Sequence, residues 1–382
     1  MHLLAASPGG FTDEEGIIDL DQTPSDVVFL SAADSQLSLL SCVIQHNPPS
    51  FSIRLANWMN LTKPAAFDLF EHKVLEQSKV VIISLLGGVN YFTYGVERLI
   101  AWQKQDSTRT LIMIAGDDND DEALFKLNTT PSSNNIEAAY LIWRYIREGG
   151  QSNINLCFNF IKQYCIDHQS FENCDTPQAK KTPNAFLYAP TLGQSNITQW
   201  QKNSTHKDTA IFIFYKSHVQ NAHTQMFDDF IHQCAKQHLN ILPIAITSLK
   251  DAFSLLLINE LIEQSNAKII LNATGFCSHI ENNQSLFIND LPVLQLILAS
   301  SDEQTWQDSN IGLFGRDLAM QVVLPEMDGR IITRSLSFKQ SDVYDKQAQL
   351  DVIQYQLHTE RATFIIELAK KWIKLGEKKN QE

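Results

Sequence analysis

Apolar residues gather along the chain in eight short runs, each bounded by polar residues, Gly or Pro. They are DVVFLSAAD (26–34), VVIISLLGG (80–88), TLIMIAGDD (110–118), AFLYAP (185–190), AIFIFYKSH (210–218), ILPIAITS (241–248), KIILNATG (268–275) and VLQLILAS (293–300). Runs this continuous predict strands covered on both faces, as in a parallel sheet. Segments of helical period lie between them: 65–77, 94–105, 136–150, 225–239 and 252–264. Strand and helix in alternation predict βαβ units and an α/β fold, with doubly wound, mostly parallel sheets in two Rossmann- or flavodoxin-like lobes. Two polar stretches interrupt the alternation, 117–135 and CDTPQAKKTPN (174–184). The second is the expected boundary, giving an N-terminal α/β lobe over 1–180 and a second α/β lobe over 181–345. The remainder, 346–382, is expected to be a C-terminal amphipathic helix or linker whose lysine-rich last turn suits the helix dipole.

A chain of 382 residues is long enough for the two cores that this pattern requires. Its 30 basic and 43 acidic side chains give a net charge of −13, which repels a phosphate backbone and argues against nucleic acid as a partner. Six cysteines without a C-x-x-C pair read as reduced, buried thiols of a cytoplasmic protein. The first residues lack a basic segment followed by an apolar run, so no signal peptide is expected, and no window has the length of a membrane span. Triplets such as Asn60-Leu-Thr and Asn196-Ile-Thr are accordingly chance matches to the glycosylation pattern.

Open α/β sheets bind ligands beyond the carboxyl ends of their strands. The polar groups that close the runs are therefore the places to look: Asp34, Gly87-Gly88, Asp117-Asp118, Lys216-Ser217-His218, Ser248 to Asp251 and Asn272 to Gly275. Gly87-Gly88 could bring backbone amides near an anion, but the surrounding LLGGVNYFTYG is neither G-x-G-x-x-G nor a Walker loop and reads as a tight turn. GDDNDDE (116–122) lacks EF-hand spacing and reads as a solvated loop. Of five histidines between His206 and His238, only His218, with His223 in the loop beyond, sits at a strand end. A structural role for His218 stands level with a ligand or acid–base role. No G-x-S-x-G elbow is present. In LFGRDLAMQVVLPEMDGRIITR (313–334), Arg316, Asp317, Glu326, Asp328, Arg330 and Arg334 surround a turn set by Pro325 and Gly329. Charges so close to buried strands are expected to pair with one another, and carboxylate recognition by Arg316 or Arg330 is the alternative.

Several segments in order carry a resemblance. SIRLANWMNLTKPAAFDLFEHKVL (52–75), VVIISLLGGVNYFTYGVERL (80–99), TPNAFLYAPTLGQSNI (182–197), IFIFYKSHVQ (211–220), ILPIAITSLKD (241–251), LNATGF (271–276) and GRDLAMQVVLPEMDGRIITRSLSFK (315–339) resemble the large-subunit family of aerobic cobaltochelatase (CobN), which is related to the porphyrin-binding H subunit of magnesium chelatase. The similarity starts at MHLLAASPGGF and runs to about residue 375. It implies a part in inserting Co²⁺, as substrate metal, into the tetrapyrrole hydrogenobyrinic acid a,c-diamide during cobalamin synthesis. ATP and Mg²⁺ would be used by an associated AAA+ pair of the CobS/CobT type, in agreement with the missing Walker motif. Members of the family are several times longer, so the match is to an N-terminal part, which is expected to work with the remainder of the large subunit and to be inactive alone. The resemblance marks Lys216, His218, Asn272, Thr274, Arg316, Glu326 and Arg330 as tetrapyrrole-binding candidates. His218 would face the ring or the metal, Arg316 and Arg330 would meet side-arm carboxylates or Glu326, and Asn272 with Thr274 would hydrogen-bond at a strand end. The readings that compete with this are a non-catalytic tetrapyrrole-binding or subunit-interaction module, and a magnesium-chelatase H-type segment.

Overall fold

The computed structural model describes residues 17–117, 121–130, 133–190, 192–275, 287–310 and 312–379. The N-terminal motif up to residue 16, Asp118 to Asp120 of the acidic stretch, Phe276 and Cys277 lie outside the described residues. Two compact units form. One comprises Met1–Thr182, Gln220–Ala222 and Ser341–Ile353, and the other Pro183–Val219, His223–Gln340 and Gln354–Glu382.

In the first unit, strands β1 (Val27–Ser31), β2 (Ile53–Asn57), β3 (Val80–Leu85) and β4 (Thr110–Ala115) make a parallel sheet of order β2-β1-β3-β4. Every residue of β1 and β3 is buried, which is why the sequence shows no alternation there. Helices Asp34–His46, Pro64–Lys73, Thr93–Lys104, Ile136–Glu148 and Gly150–Phe160 contribute to its core. Gly149 turns the chain between the last two with φ of +61°, and a Cβ there would lie 2.5 Å from the Gln220 carbonyl oxygen.

Beyond β4 a two-residue ladder pairs β5 (Thr129–Thr130) with β6 (Ser133–Asn134). Just before it, Asn128 closes the sheet edge as a surrogate strand. Its buried amide accepts from Met113 N at 2.7 Å and donates to Met113 O at 2.9 Å and Phe125 O at 3.0 Å. Asn128→Leu is expected to cost about 2 kcal/mol, because buried backbone groups lose their partners. A urea midpoint equal to that of the wild type would refute this role.

The second unit is built on β7 (Ala185–Ala189), β8 (Gly193–Ser195), β9 (Thr209–Tyr215), β10 (Asn240–Ile246), β11 (Ile269–Asn272), β12 (Val293–Leu298), and those parts of β13 (Ile331–Asp345) and β14 (Leu350–Leu357) that lie outside Ser341–Ile353. The sheet order is β14-β13-β12-β11-β9-β10-β7-β8. Its parallel part, β10-β9-β11-β12-β13, runs second, first, third, fourth, fifth, which is the flavodoxin-like order. The sheet is not parallel throughout: β7 pairs antiparallel with β10 and with β8. Alternate residues of β9 feed two cores. Ala210, Phe212 and Phe214 face one that includes helices Gln225–Lys236 and Thr359–Lys379, while Ile211 and Ile213 face one that includes helix Ala252–Ser265. No helix of the described residues is long and apolar enough to cross a membrane.

Candidate functional site

Strand order reverses at β9, so the crevice of the second unit opens beyond the carboxyl ends of β9 and β11. Both ends carry residues singled out from the sequence.

β9 stops at Tyr215, and Lys216–Gln220 coil into a five-residue helix instead of continuing the strand. Lys216 and His218 are half-buried there. The His218 ring centroid lies 4.7 Å from that of Phe227 and 6.1 Å from that of Tyr355. Desolvation, reinforced by the nearby His223, draws the His218 pKa down to about 3. His223 N donates to His218 O at 2.8 Å, and the His223 Nε2 is buried without a hydrogen-bond partner. Burial, then Lys339, lowers the His223 pKa to about 4. Both imidazoles are therefore neutral at pH 7, the form that accepts a hydrogen bond or binds a metal. Among the described residues no three His, Cys, Asp or Glu side chains converge as a metal-holding group.

At the end of β11, Asn272 and Thr274 are buried in an internal network. Asn272 Nδ2 donates to Gln295 Oε1 at 2.8 Å and to Thr274 O at 3.1 Å, and Thr274 Oγ1 donates to Asn272 Oδ1 at 2.8 Å. Gln295 Nε2 donates to Thr274 O at 2.9 Å. Arg330 completes the network: Nη1 donates to Gln295 Oε1 at 3.1 Å and Nη2 to Asp328 Oδ2 at 2.7 Å. The Arg330 and Asp328 side chains are only 2% and 3% exposed. Thus the carboxylate paired with Arg330 is Asp328 rather than Glu326, and the mutual pairing expected of this charge cluster occurs here. Tyr215 donates to Gly275 O at 3.1 Å, its phenol pKa raised chiefly by burial.

Over the ends of β11 and β12 lies a short helical segment: Gly315–Asp317, a π-helical turn Leu318–Val323, and Leu324–Met327. Two side chains pin it down. Asp317 Oδ2 accepts from Ser300 N and Ser300 Oγ, both at 2.7 Å, and Gln321 spans the Leu298 peptide, accepting from N and donating to O at 2.7 Å each. Gly275 permits the close approach, since a Cβ there would stand 3.1 Å from Met320 O. The outer surface of the segment is apolar with charged flanks. Leu318, Val323 and Met327 are 46%, 49% and 64% exposed, and Arg316 and Glu326 are exposed beside them.

Apart from Lys216 and His218 at the end of β9, the candidates separate into two sets. Asn272, Thr274 and Arg330 form a buried brace, whereas Arg316, Glu326 and the apolar side chains between them are open to a ligand. Sequence reading missed Gln295 and Gln321, the amides that join these strand ends. The only signal for Gln295 is that it is the one polar residue within VLQLIL.

Residues 143–382 match the family model described as CobN/Magnesium Chelatase. Over its whole length the chain is 37% identical to the aerobic cobaltochelatase subunit CobN of Pseudomonas aeruginosa, and over 97% of its length 30% identical to that of a Sinorhizobium species. It spans 30% and 29% of the length of those two curated relatives. The catalytic subunit of cobaltochelatase from Mycobacterium tuberculosis shares the fold over 90% of this chain and 27% of its own, with a TM-score of 0.63 and 20% identity. With the family model matching more than half of it, the chain belongs to the CobN/magnesium chelatase family.

Proposed function

We propose that this chain is the N-terminal segment of a cobaltochelatase large subunit. In this reading it takes part in the ATP-dependent insertion of Co²⁺ into hydrogenobyrinic acid a,c-diamide, a step of cobalamin synthesis in the cytoplasm. The observation that carries the reading is the alignment of the whole chain with part of two proteins named as aerobic cobaltochelatase subunit CobN. The site adds a physical reason. A flat macrocycle with carboxylate and amide arms suits an apolar platform with a guanidinium at its rim, and Leu318, Val323, Met327 and Arg316 offer that.

Within the reading, Arg316 meets a side-arm carboxylate and Glu326 an amide arm, while Lys216 and the neutral His218 face the ring or its metal. Asn272, Thr274 and Arg330 act by holding the strand ends that carry the platform. ATP and Mg²⁺ belong to AAA+ partners of the CobS/CobT type, which is consistent with the absence of a Walker motif from this sequence. The segment inserts no cobalt without the remainder of the large subunit. The names of the two relatives support cobalt over magnesium as the substrate metal in this reading.

Titrating the purified chain with the a,c-diamide and following the visible absorption of the tetrapyrrole tests this. A saturating spectral shift at micromolar concentration is expected, weakened about tenfold by Arg316→Ala, as suits loss of one charge-assisted contact. No shift, together with capture of the remaining large-subunit piece, would favour the non-catalytic interaction module instead. Cobalt insertion by this chain with only the ATPase pair added would overturn the claim that it is incomplete.

A further inference from the structure

We propose that the second unit carries, at the end of its sheet opposite the platform, a site for a small aromatic carboxylate. A cavity of about 400 Å³ lies there, beside the amino end of β10 and the carboxyl end of β7. That volume is in the lower part of the range for small-molecule sites and suits one ring with a short arm, not a macrocycle.

The sequence of β10 explains why the sheet opens at this point. The antiparallel ladder of β10 with β7 ends at Ile244 opposite Leu187, and the next residue, Pro243, has no N–H with which to extend it. Tyr188 and Ala189 pair instead with Gln194 and Gly193 of β8, so β7 and β10 part. A side chain takes up the Ile241 carbonyl, which accepts from Trp200 Nε1 at 2.6 Å. This contact fixes the indole as one wall. Tyr188 Oη donates to Asp228 Oδ1 at 2.7 Å, and Asn240 clamps the turn at His206, accepting from His206 N at 3.1 Å and donating to His206 O. The walls are therefore preformed, which spares a ligand the cost of ordering them.

The chemistry of the lining sets the class of ligand. Pro190, Leu192, Trp200, Ile231, Ile241 and Pro243 give it a broad apolar surface, and Leu192 stays 68% exposed. An aromatic ring packs against Trp200 and covers Leu192. The charge is one-sided. No Asp or Glu stands among the described lining residues, although the chain as a whole carries −13, whereas Lys202 is one of them. Lys202 is exposed and enters no ion pair among the described residues. Its ammonium repels an organic cation and attracts an anion. With no Arg in the lining, one carboxylate matches this lone point charge better than the two charges of a phosphate monoester.

Ligand-observed NMR titration of the purified chain with phenylacetate tests the site, with acetate, phenylacetamide and 2-phenylethylamine as comparisons. Saturable one-to-one binding of phenylacetate is expected. Phenylacetamide should bind about tenfold more weakly for want of the charge-assisted contact, and acetate and the amine more weakly still. Lys202→Gln should weaken phenylacetate about tenfold and leave phenylacetamide unchanged. Leu192→Asp, which sets a carboxylate in the wall, should abolish binding. Both side chains are exposed, so the urea midpoints of these variants should match the wild type. Arg316→Ala, which weakens the tetrapyrrole, should leave phenylacetate unaffected, so failure of one reading leaves the other standing. The proposal is overturned if phenylacetate does not saturate, if the amide or the amine binds as tightly, or if Lys202→Gln or Leu192→Asp leaves its affinity unaltered. Self-association of the chain that Leu192→Asp abolishes, with no binding of phenylacetate, would overturn it in favour of a contact between two copies.

Discussion

Arg330→Ala is expected to destabilise the second unit by about 3–5 kcal/mol, the cost of leaving one member of a buried ion pair without its partner. The substitution strands the Asp328 carboxylate, 3% exposed, and withdraws the N–H that Gln295 Oε1 receives at 3.1 Å. A surface ion pair such as Lys126 with Glu122 would contribute far less on the same change, because water screens both charges. Arg330→Lys should recover only part of the loss, since an ammonium cannot serve Asp328 and Gln295 with the fixed fork of a guanidinium. Removing both charges in Arg330→Met with Asp328→Ala should cost less than Arg330→Ala alone, as no buried charge is then left unpaired. Urea unfolding of the four proteins checks this. The experiment also separates the two roles open to Arg330. If the guanidinium served mainly a ligand carboxylate, Arg330→Ala would leave unfolding within about 1 kcal/mol of the wild type and affect tetrapyrrole affinity alone.

The parts of the fold that the sequence discloses are those whose burial leaves an unbroken mark. The eight apolar runs became β1, β3, β4, β7, β9, β10, β11 and β12. The residues of β2, β13 and β14 passed unnoticed for a reason that can be stated: their polar residues are buried or used in place. In β2 the Arg54 guanidinium lies on neighbouring backbone carbonyls. In β13, Ser335, Ser337 and Lys339 alternate with Leu336 and Phe338, yet all five are buried. Direction is equally silent, for nothing in AFLYAP tells that β7 runs antiparallel to β10.

At the site, the strand-end rule located Asn272, Thr274 and Lys216 to His218 because it depends on topology, which the alternation of elements reveals. It could not tell brace from ligand surface. That distinction rests on contacts such as Asn272 with Gln295, 23 residues on, and Gln321 with Leu298, 23 residues back. Nor did it foresee that the chain would coil at Lys216. This turns His218 from the tip of a strand into a ring set against Phe227.

Acidification from pH 7 to pH 5 should cost the second unit several kcal/mol, through His218 and His223. Their folded pKa values of about 3 and about 4 lie below the ordinary 6.5. Below pH 6.5 the unfolded chain therefore binds protons that the folded chain refuses. Their contribution is intact above pH 6.5 and is lost progressively as the pH falls towards the folded values. Each histidine contributes about 1.4 kcal/mol per pH unit in that window. Most carboxylates cannot imitate the effect, since groups at or below their ordinary range, such as Asp26 held near 2 by Lys79, remain ionised down to pH 5. Urea unfolding at pH 7, 6 and 5 should show the loss in the wild type and a much flatter profile in His218→Gln with His223→Gln, which carries no imidazole to protonate. An unchanged pH slope in that double variant would exclude the two rings as its source. A ligand or metal that engages the neutral imidazoles should raise stability across pH 7 to 5 without changing this slope, because the folded rings bind no protons there with or without it.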